Sequence, residues 1–286
     1  MSLDTLWQGI MNGLVAGWIY ILIALGLTLV FSIMNIVQFA HGELYMLGAY
    51  GTYYLSVSYG LNYWVALLLS ALLVGIVGLI LERFFFRPFR GQFEPSIIVA
   101  VGLMLFLQSA ATVWFDPYPK AMPIIFPGVL KIWGAVLSWD RMLAVIVGIV
   151  LVSAIFLIIQ RTKMGQAMVA VSQDEYAAAL HGINANRISA IAMIAGCALA
   201  AVAGALMGAI FAITPSMGGI AITKGIAVIV LGGLGSIPGA VIGGLILGLI
   251  DGLVSVVLNT TVAAVVGFIL IIFVLLLRPR GLFGRD

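Results

Sequence analysis

Residues 188–213 read ISAIAMIAGCALAAVAGALMGAIFAI, a stretch of 26 residues without a single charge. A helix that crosses the roughly 30 Å hydrocarbon layer of a bilayer needs about 20 predominantly apolar residues. This stretch is long enough, and its many alanine and glycine residues suit close packing between helices inside a membrane. It therefore predicts a transmembrane helix.

Similar stretches lie on both sides of this one. Four are equally clear, at residues 9–32, 62–81, 96–115 and 142–160. Another, 35–58, is interrupted by polar residues, and the last, 224–277, is long enough for two full spans or three short ones. We therefore expect an all-α, polytopic membrane protein of about eight transmembrane helices (7–9). Residues 1–286 form a single transmembrane domain in this interpretation.

The composition supports a membrane protein. Of the 286 residues, 64% are apolar and 8% are charged, whereas a soluble domain is about half apolar and about a quarter charged. These values exclude a soluble enzyme of this length and a disordered chain. They also exclude a nucleic-acid-binding module, which needs dense clusters of Lys and Arg. The lipid bilayer is therefore the expected surrounding medium.

The few basic residues predict an orientation. They gather in three groups: Arg83, Arg87 and Arg90; Arg161, Lys163 and Arg187; and Arg278, Arg280 and Arg285. Because loops on the cytoplasmic side carry an excess of Lys and Arg, we expect these groups and the C-terminus to be cytoplasmic. The loop 116–141, which is rich in Pro and also holds Asp116 and Asp140, is expected outside. The side of the N-terminus stays open.

Glycine is the most conspicuous packing residue, with 34 copies. Several are four residues apart, the spacing that lets helix backbones approach closely: Gly204 and Gly208; Gly235, Gly239 and Gly243; and Gly244, Gly248 and Gly252. The last two sets form two ridges along residues 235–252. They predict either ordinary packing inside one bundle or a subunit interface or pathway, and the pattern does not distinguish these.

Residues 232–239, GGLGSIPG, predict a break between helices at membrane depth, because Pro lacks a backbone donor and Gly disfavours helix. Irregular backbone at that depth is tolerated where protein buries it or where it borders a water-filled cavity. Gly235, Ser236 and Pro238 are therefore candidates for a translocation path or gate. The pattern G-x-x-x-x-G-K-[ST] is absent from the chain, so this device for binding ATP is absent too.

Ionisable residues inside apolar stretches are candidates for function. Gln38, His41 and Glu43 occur together, and we expect them either to cap a helix or to line the translocation path. For Asp251 we expect a backbone, Asn or Ser partner, and for Lys224 an ammonium group that reaches the membrane surface. No third ligand completes a metal site with His41 and Glu43, and no nucleophile motif is present, so neither a catalytic site nor a bound cofactor is expected.

The loop 161–187 is polar enough to be solvated and is patterned for a helix. Ser172, Asp174 and Glu175 suit a helix N-terminus, and Gly182 stands where a left-handed C-terminal residue is expected. A helix over about 173–181 is therefore predicted. It is either a simple connector or a surface that presents Tyr176, Ala177, Ala178 and Leu180 to a partner.

Residues 176–182, YAAALHG, resemble the EAA loop of ABC importer permeases, with Tyr176 at the usual glutamate position and Glu175 just before it. More specifically, the chain resembles permeases of high-affinity branched-chain amino acid ABC importers of the LivH type. The stretches that carry the resemblance are ALGLTL (24–29), FAHGE (39–43), YMLGAY (45–50), Arg161–Thr162 with Gly165, GIN (182–184) with Arg187, 231–239 and RPRGLFG (278–284).

The resemblance implies a multi-pass subunit of the inner membrane. Its implied partners are a second, homologous permease, two cytoplasmic ATP-binding subunits and an external substrate-binding protein. It also implies that Glu175, Tyr176, Ala177, Ala178, Leu180 and Gly182 couple this chain to the ATPase, and that the chain performs no bond chemistry itself.

Three alternatives stay open at this point. A permease for urea or short amides would share these motifs. An ion-coupled secondary transporter would need paired intramembrane carboxylates, for which Glu43 and Asp251 are the candidates, or broken helices in two matching halves. A membrane-embedded enzyme would turn over a substrate without partners.

Overall fold

A computed structural model describes residues 3–132 and 134–284 of the chain. The helices are α1 (Leu3–Met34), α2 (His41–Tyr53), α3 (Tyr63–Leu81), α4 (Phe93–Phe115), α5 (Trp139–Arg161), α6 (Lys163–Gln173), α7 (Glu175–Leu180), α8 (Ala185–Ile210), α9 (Met217–Gly232), α10 (Ile237–Val257) and α11 (Thr260–Leu277). A π-helical turn, Tyr54–Ser58, continues α2, and π and 3₁₀ turns continue α3 to Phe89. Strands β1 (Val129–Ile132) and β2 (Ala135–Ser138) form an antiparallel hairpin.

The expected fold class is confirmed, since seven helices of the described residues are long and apolar enough to cross a membrane. The small hairpin between α4 and α5 was not foreseen. The last apolar stretch contains the end of α9 together with α10 and α11, and the expected break lies between α9 and α10, where Gly233 and Gly235 both have positive φ. Arg285 lies outside the described residues.

Contacts between distant segments define the two ends of the helix bundle. At the hairpin end, the backbone of Val136 exchanges two hydrogen bonds with the Gln8 side chain near the start of α1. At the opposite end, Phe283 donates its backbone N–H to the Gly232 carbonyl, and Ser32 of α1 donates to the Gly235 carbonyl at 3.2 Å. We call these the hairpin end and the α7 end, because α6 and α7 follow the last residue of α5 there.

Two glycine seams hold α10 between its neighbours. Gly244, Gly248 and Gly252 meet Gly17, Gly13 and Gly9 of α1, so the two backbones touch over three successive turns. Gly239 and Gly243 instead meet Gly232 and Val228 of α9. Both ridges predicted from the sequence therefore pack inside this chain. Gly235 is the exception, because it lies in the break and not in the helix.

Helices α2 and α9 begin inside the bundle and meet there. A β-carbon on Gly42 would overlap the carbonyl oxygen of Gly218, and one on Gly218 would come within 2.7 Å of the Gly42 carbonyl oxygen. Each helix follows a non-helical linker of six residues, 35–40 and 211–216, and each is followed by a linker of four residues, 59–62 and 233–236. The order of long helix, short helix and long helix therefore occurs twice, in α1–α3 and in α8–α10.

Candidate functional site

Local sequence signals shape the loop between α5 and α8. The Thr162 side chain accepts the Gly165 amide at the start of α6, and the Asp174 side chain accepts the Ala177 amide at 2.9 Å at the start of α7. At the end of α7, Gly182 donates to Ala179 and Ile183 donates to Ala178, which is the Schellman pattern. Gly182 supplies the positive φ of +79° that this pattern requires. The predicted helix is therefore confirmed over 175–180.

Helix α6 was missed, because only one helix was predicted in this loop, over about 173–181 with Asp174 near its start, and the structure has a second helix before Asp174. A signal for it exists: Gly165, Met168 and Val171 recur every three residues, and all three are buried. The close contact of Gly165 with the backbone of Ile159 fixes α6 against the last turn of α5. Helix α6 therefore lies directly against α5, one of the helices long and apolar enough to span a membrane.

Helix α7 presents an apolar surface. Tyr176 is 76% exposed and Leu180 is 72% exposed, while Ala178 between them is buried. Glu175, Ala177 and Gly182 are exposed as well. Tyr176 and Leu180 lie one turn apart, so together they form a small exposed apolar pair. We call Tyr176, Ala177 and Leu180 the α7 surface.

Arg90, on the connection between α3 and α4, contacts both α7 and the start of α8. Its guanidinium forms an ion pair with Glu175 at 3.3 Å and donates a hydrogen bond to the Asn186 side chain at 3.3 Å. The Arg90 side chain is largely buried, whereas that of Glu175 is half exposed. One basic side chain therefore ties α7 to the start of α8 and to the α3–α4 connection. This contact of Arg90 was not predicted from the sequence.

A cavity of about 660 Å³ lies beside the break at the α7 end. Gly235, Ser236 and Pro238 line it. The opposite wall comes from the ends of α1 and α5 and from α6, including Ser32, Gln160, Gln166, Met168 and Ser172. The irregular backbone of the break therefore borders a space that α6 also touches.

Gln38, His41 and Glu43 lie elsewhere, fully buried where α2 begins. His41 Nδ1 lies 3.3 Å from Gln38 Oε1, and a β-carbon on Gly26 of α1 would come 2.6 Å from His41 Nε2. Gln38 Nε2, His41 Nε2 and both Glu43 carboxylate oxygens have no hydrogen-bond partner among the described residues. The three predicted residues thus form one cluster, separate from the cavity that Gly235, Ser236 and Pro238 line.

The expectations for Lys224 and Asp251 were wrong. Lys224 lies in the middle of α9 and forms an ion pair with Asp251 of α10 at 2.6 Å. The Tyr20 hydroxyl of α1 donates to the same carboxylate oxygen at 2.8 Å. Lys224 does not reach the membrane surface because a carboxylate lies within its reach on the neighbouring helix. The pairing was not visible in the sequence, since 26 residues separate the two groups.

The model of the protein family described as "Branched-chain amino acid transport system / permease component" matches residues 9–276. The chain belongs to this permease family. Relatives include the high-affinity branched-chain amino acid transport system permease protein BraD of Pseudomonas aeruginosa, which is 38% identical over 97% of this chain and 95% of its own length. The permease protein LivH of Escherichia coli K12 is 37% identical over the same shares of the two chains.

Membership in the permease family confirms the resemblance that the motifs carried. The permease LivM of Escherichia coli K12 is 26% identical over 76% of this chain and 57% of its own length. Among solved structures, PsaBC from Streptococcus pneumoniae in complex with Fab covers 90% of both chains with a TM-score of 0.46 and 13% identity. The family is one of transport proteins, and the multi-pass architecture of the permease matches that role.

Proposed function

We propose that this permease is the membrane-spanning subunit of an ATP-driven ABC importer that carries branched-chain or other hydrophobic amino acids across the bacterial inner membrane. Its proposed partners are a homologous second permease, two cytoplasmic ATP-binding subunits and an external substrate-binding protein. Relatives that are 37–38% identical over nearly the full chain are permeases of high-affinity branched-chain amino acid transport systems, which supports this substrate class.

The observation that carries the proposal is the α7 surface. A chain without a nucleotide-binding motif depends on other subunits for ATP, and α7 offers them a capped, solvated helix with exposed Tyr176 and Leu180. Glu175, Tyr176, Ala177, Ala178, Leu180 and Gly182 are then the ATPase-coupling residues. Ala178 contributes through its buried packing and not by direct contact. No cofactor and no metal ion is needed by this chain in the proposal.

The geometry suggests how ATP binding moves the membrane helices. Closure of the ATPase dimer pushes α7, and α6 follows because Asp174 joins the two. The Gly165–Ile159 contact passes this movement to α5, and the cavity beside Gly235, Ser236 and Pro238 changes shape. The α7 end, with the basic groups and the C-terminus, is cytoplasmic in this proposal, and the hairpin end faces the binding protein.

Reconstitution with the partner subunits tests the function. Proteoliposomes that contain both permeases, both ATPase subunits and the binding protein are expected to accumulate leucine, and accumulation should stop when ATP or any one subunit is left out. Urea and acetamide, offered in the same assay, are expected not to accumulate. Uptake of urea without leucine, or leucine uptake by this chain alone, would overturn the proposal.

Gly182→Val is expected to uncouple ATP hydrolysis from uptake. A left-handed conformation costs a residue with a β-carbon about 1–2 kcal/mol, and φ at Gly182 is +79°. The end of α7 therefore shifts, while membrane insertion stays normal because no atom lies within 4 Å of a β-carbon there. The measurement is leucine uptake per ATP hydrolysed. Gly182→Asn is the control, since Asn tolerates this conformation; unchanged uptake in the Val variant would contradict the coupling role.

Arg90→Ala is expected to lower uptake severalfold at a normal amount of folded permease. Without the guanidinium, α7 loses its link to the α3–α4 connection and to Asn186. Less of the ATPase movement then reaches the membrane helices. Uptake and ATPase activity are measured for Arg90→Ala, Glu175→Gln and the double variant. We expect the double variant to resemble the single Arg90 variant, because both changes remove one shared contact. Additive defects would show that the two side chains act separately.

A further inference from the structure

The linker 211–216 leads into the buried start of α9 without forming a helix. At one end, Ile213 exchanges two backbone hydrogen bonds with Lys120, whose ammonium lies 5.6 Å from the ring centre of Tyr54 on the π-turn that ends α2. Just after the other end, Gly218 touches Gly42 at the start of α2. Gly42 and Tyr54 are about 18 Å apart along the helix at 1.5 Å per residue. The Thr214 carbonyl accepts the Met217 amide, so the linker contains a turn and covers only part of this distance.

This linker is partly uncovered, whereas its counterpart before α2 exposes only Asn35. Phe211 is 52% exposed, and Ala212 and Ser216 are exposed too. Non-helical backbone at membrane depth is not tolerated against lipid, since its polar groups need water or protein partners. The exposed side of 211–216 therefore faces either a water-filled space or another subunit.

The helix that follows continues the same face. Ser216, Ile220 and Thr223 are exposed, and Lys224 beside them keeps 14% of its side chain exposed. Their spacing of four, seven and eight residues from Ser216 places them on one side of α9. We call these four residues the α9 stripe. Helix α5, by contrast, exposes mainly apolar side chains, including Ile146, Ile149 and Val150, as expected for contact with lipid.

The Lys224–Asp251 pair gives this stripe a charge pattern. Each of the two side chains is 14% exposed, so neither is sealed inside the bundle. Asp251 Oδ1 is buried, and a β-carbon on Gly267 of α11 would lie 4.0 Å from it, so this oxygen is not open to a passing molecule. The Lys224 ammonium has three donors, and one of them serves Asp251 Oδ2. An ammonium with further donors on the exposed stripe is complementary to the carboxylate group of an α-amino acid.

We propose that the α9 stripe and the linker 211–216 form a wall of the translocation path, and that Lys224 binds the carboxylate group of the passing amino acid. This inference rests on the proposed function, because it takes the cargo to be an amino acid. Asp251 is a positioning residue for Lys224. Neutral cargo such as urea has no carboxylate for Lys224 to bind, so the site favours cargo that carries a carboxylate group.

Water access tests the first half of the proposal. Thr223→Cys and Ser216→Cys, in the assembled importer, are expected to react with a charged, membrane-impermeant methanethiosulfonate reagent. Val150→Cys, on the lipid-facing side of α5, is expected not to react. The native Cys197 is fully buried and gives little background. If Thr223→Cys stays unmodified in a complex that transports leucine, or cross-links to the second permease without being modified, the stripe is a dry interface and the proposal fails.

Charge removal tests the second half. Lys224→Met is expected to lower leucine uptake about tenfold or more, the loss expected for one charge-assisted hydrogen bond. This variant leaves the Asp251 carboxylate without its counter-ion. The decisive variant is therefore Lys224→Met with Asp251→Asn, which removes both charges. A purely structural pair would be rescued by the double change. We expect uptake to stay low in the double variant at normal folding and normal ATPase activity; recovered uptake would overturn the assignment.

The two proposals fail in different ways. If the wild-type complex hydrolyses ATP but takes up no amino acid, the proposed substrate class is wrong. Modification of Thr223→Cys in that complex would still report a water-lined wall. If the wild-type complex takes up leucine but the stripe is neither water-exposed nor sensitive to charge removal, the function stands and this inference is wrong.

Discussion

Gly248→Leu is expected to remove nearly all folded permease from the membrane. A β-carbon at this position overlaps the backbone of Gly17 on α1, and no flexible side chain is there to move aside. Inserting side-chain atoms into a packed core costs about 1–3 kcal/mol and more where the backbone must shift. Here α1 and α10 would have to separate, which opens the longest seam in the bundle. The whole stability of a domain is about 5–15 kcal/mol, so one such change is severe.

The measurement is the amount and melting temperature of detergent-extracted permease, followed by size-exclusion chromatography of a fluorescent fusion. Gly102→Leu is the matched control, because Gly102 of α4 has no atom within 4 Å of a β-carbon. The control should behave like the unchanged protein. Equal melting temperatures for the two variants would show that the close α1–α10 contact is not required.

Tyr176→Asp combined with Leu180→Asp is expected to abolish ATP-driven uptake while leaving the permease folded. Both side chains are exposed, so their loss costs the isolated chain little. Burying a carboxylate in an apolar groove is unfavourable, and loss of one central apolar anchor weakens an interface by about 2 kcal/mol, or roughly 30-fold. Two such losses on one short helix should detach the ATPase.

Co-purification of the ATPase subunits with tagged permease measures their binding directly. Leucine uptake is measured alongside it. The matched control is Tyr176→Phe with Leu180→Met, which keeps the size and apolar character of both side chains and should retain binding. If the aspartate variant still holds the ATPase subunits, they dock elsewhere on the α7 end, and the α7 surface has another role.

The membrane helices were predictable because their signal is local. Each of the clear apolar stretches became a helix within three residues of the expected ends, with the exception of α1, which begins six residues earlier. The cap residues of α7 were equally readable, since Asp174 and Gly182 act on backbone groups a few residues away. What escaped prediction depends on contacts between distant segments: the Lys224–Asp251 pair, the Arg90–Glu175 tie and the meeting of α2 with α9.

The predicted candidates for the translocation path divide into two groups for the same reason. Gly235, Ser236 and Pro238 border a cavity, whereas Gln38, His41 and Glu43 are buried at the start of α2. Helix-breaking Gly and Pro marked the first group, and polar side chains inside an apolar stretch marked the second, but only the folded chain separates them. Their part in transport stays a prediction.

The secondary-transporter alternative calls for paired carboxylates or for broken helices in two matching halves. The described chain has two short helices between longer ones, α2 and α9. However, Glu43 and Asp251 do not pair: Asp251 bonds to Tyr20 and Lys224, and the Glu43 oxygens have no partner among the described residues. Family membership places the chain among permease components of transport systems and gives no support to ion coupling.

The seam between α1 and α10 has a consequence for biosynthesis. A ribosome delivers α1 to the membrane before α10. The side of α1 that carries Gly9, Gly13 and Gly17 is covered by α10. Until α10 emerges, that side of α1 has no permanent neighbour, and the insertion machinery or a transient companion helix must shield it. Truncation before residue 237 should therefore yield a polypeptide that cells degrade rapidly, however well its individual helices insert.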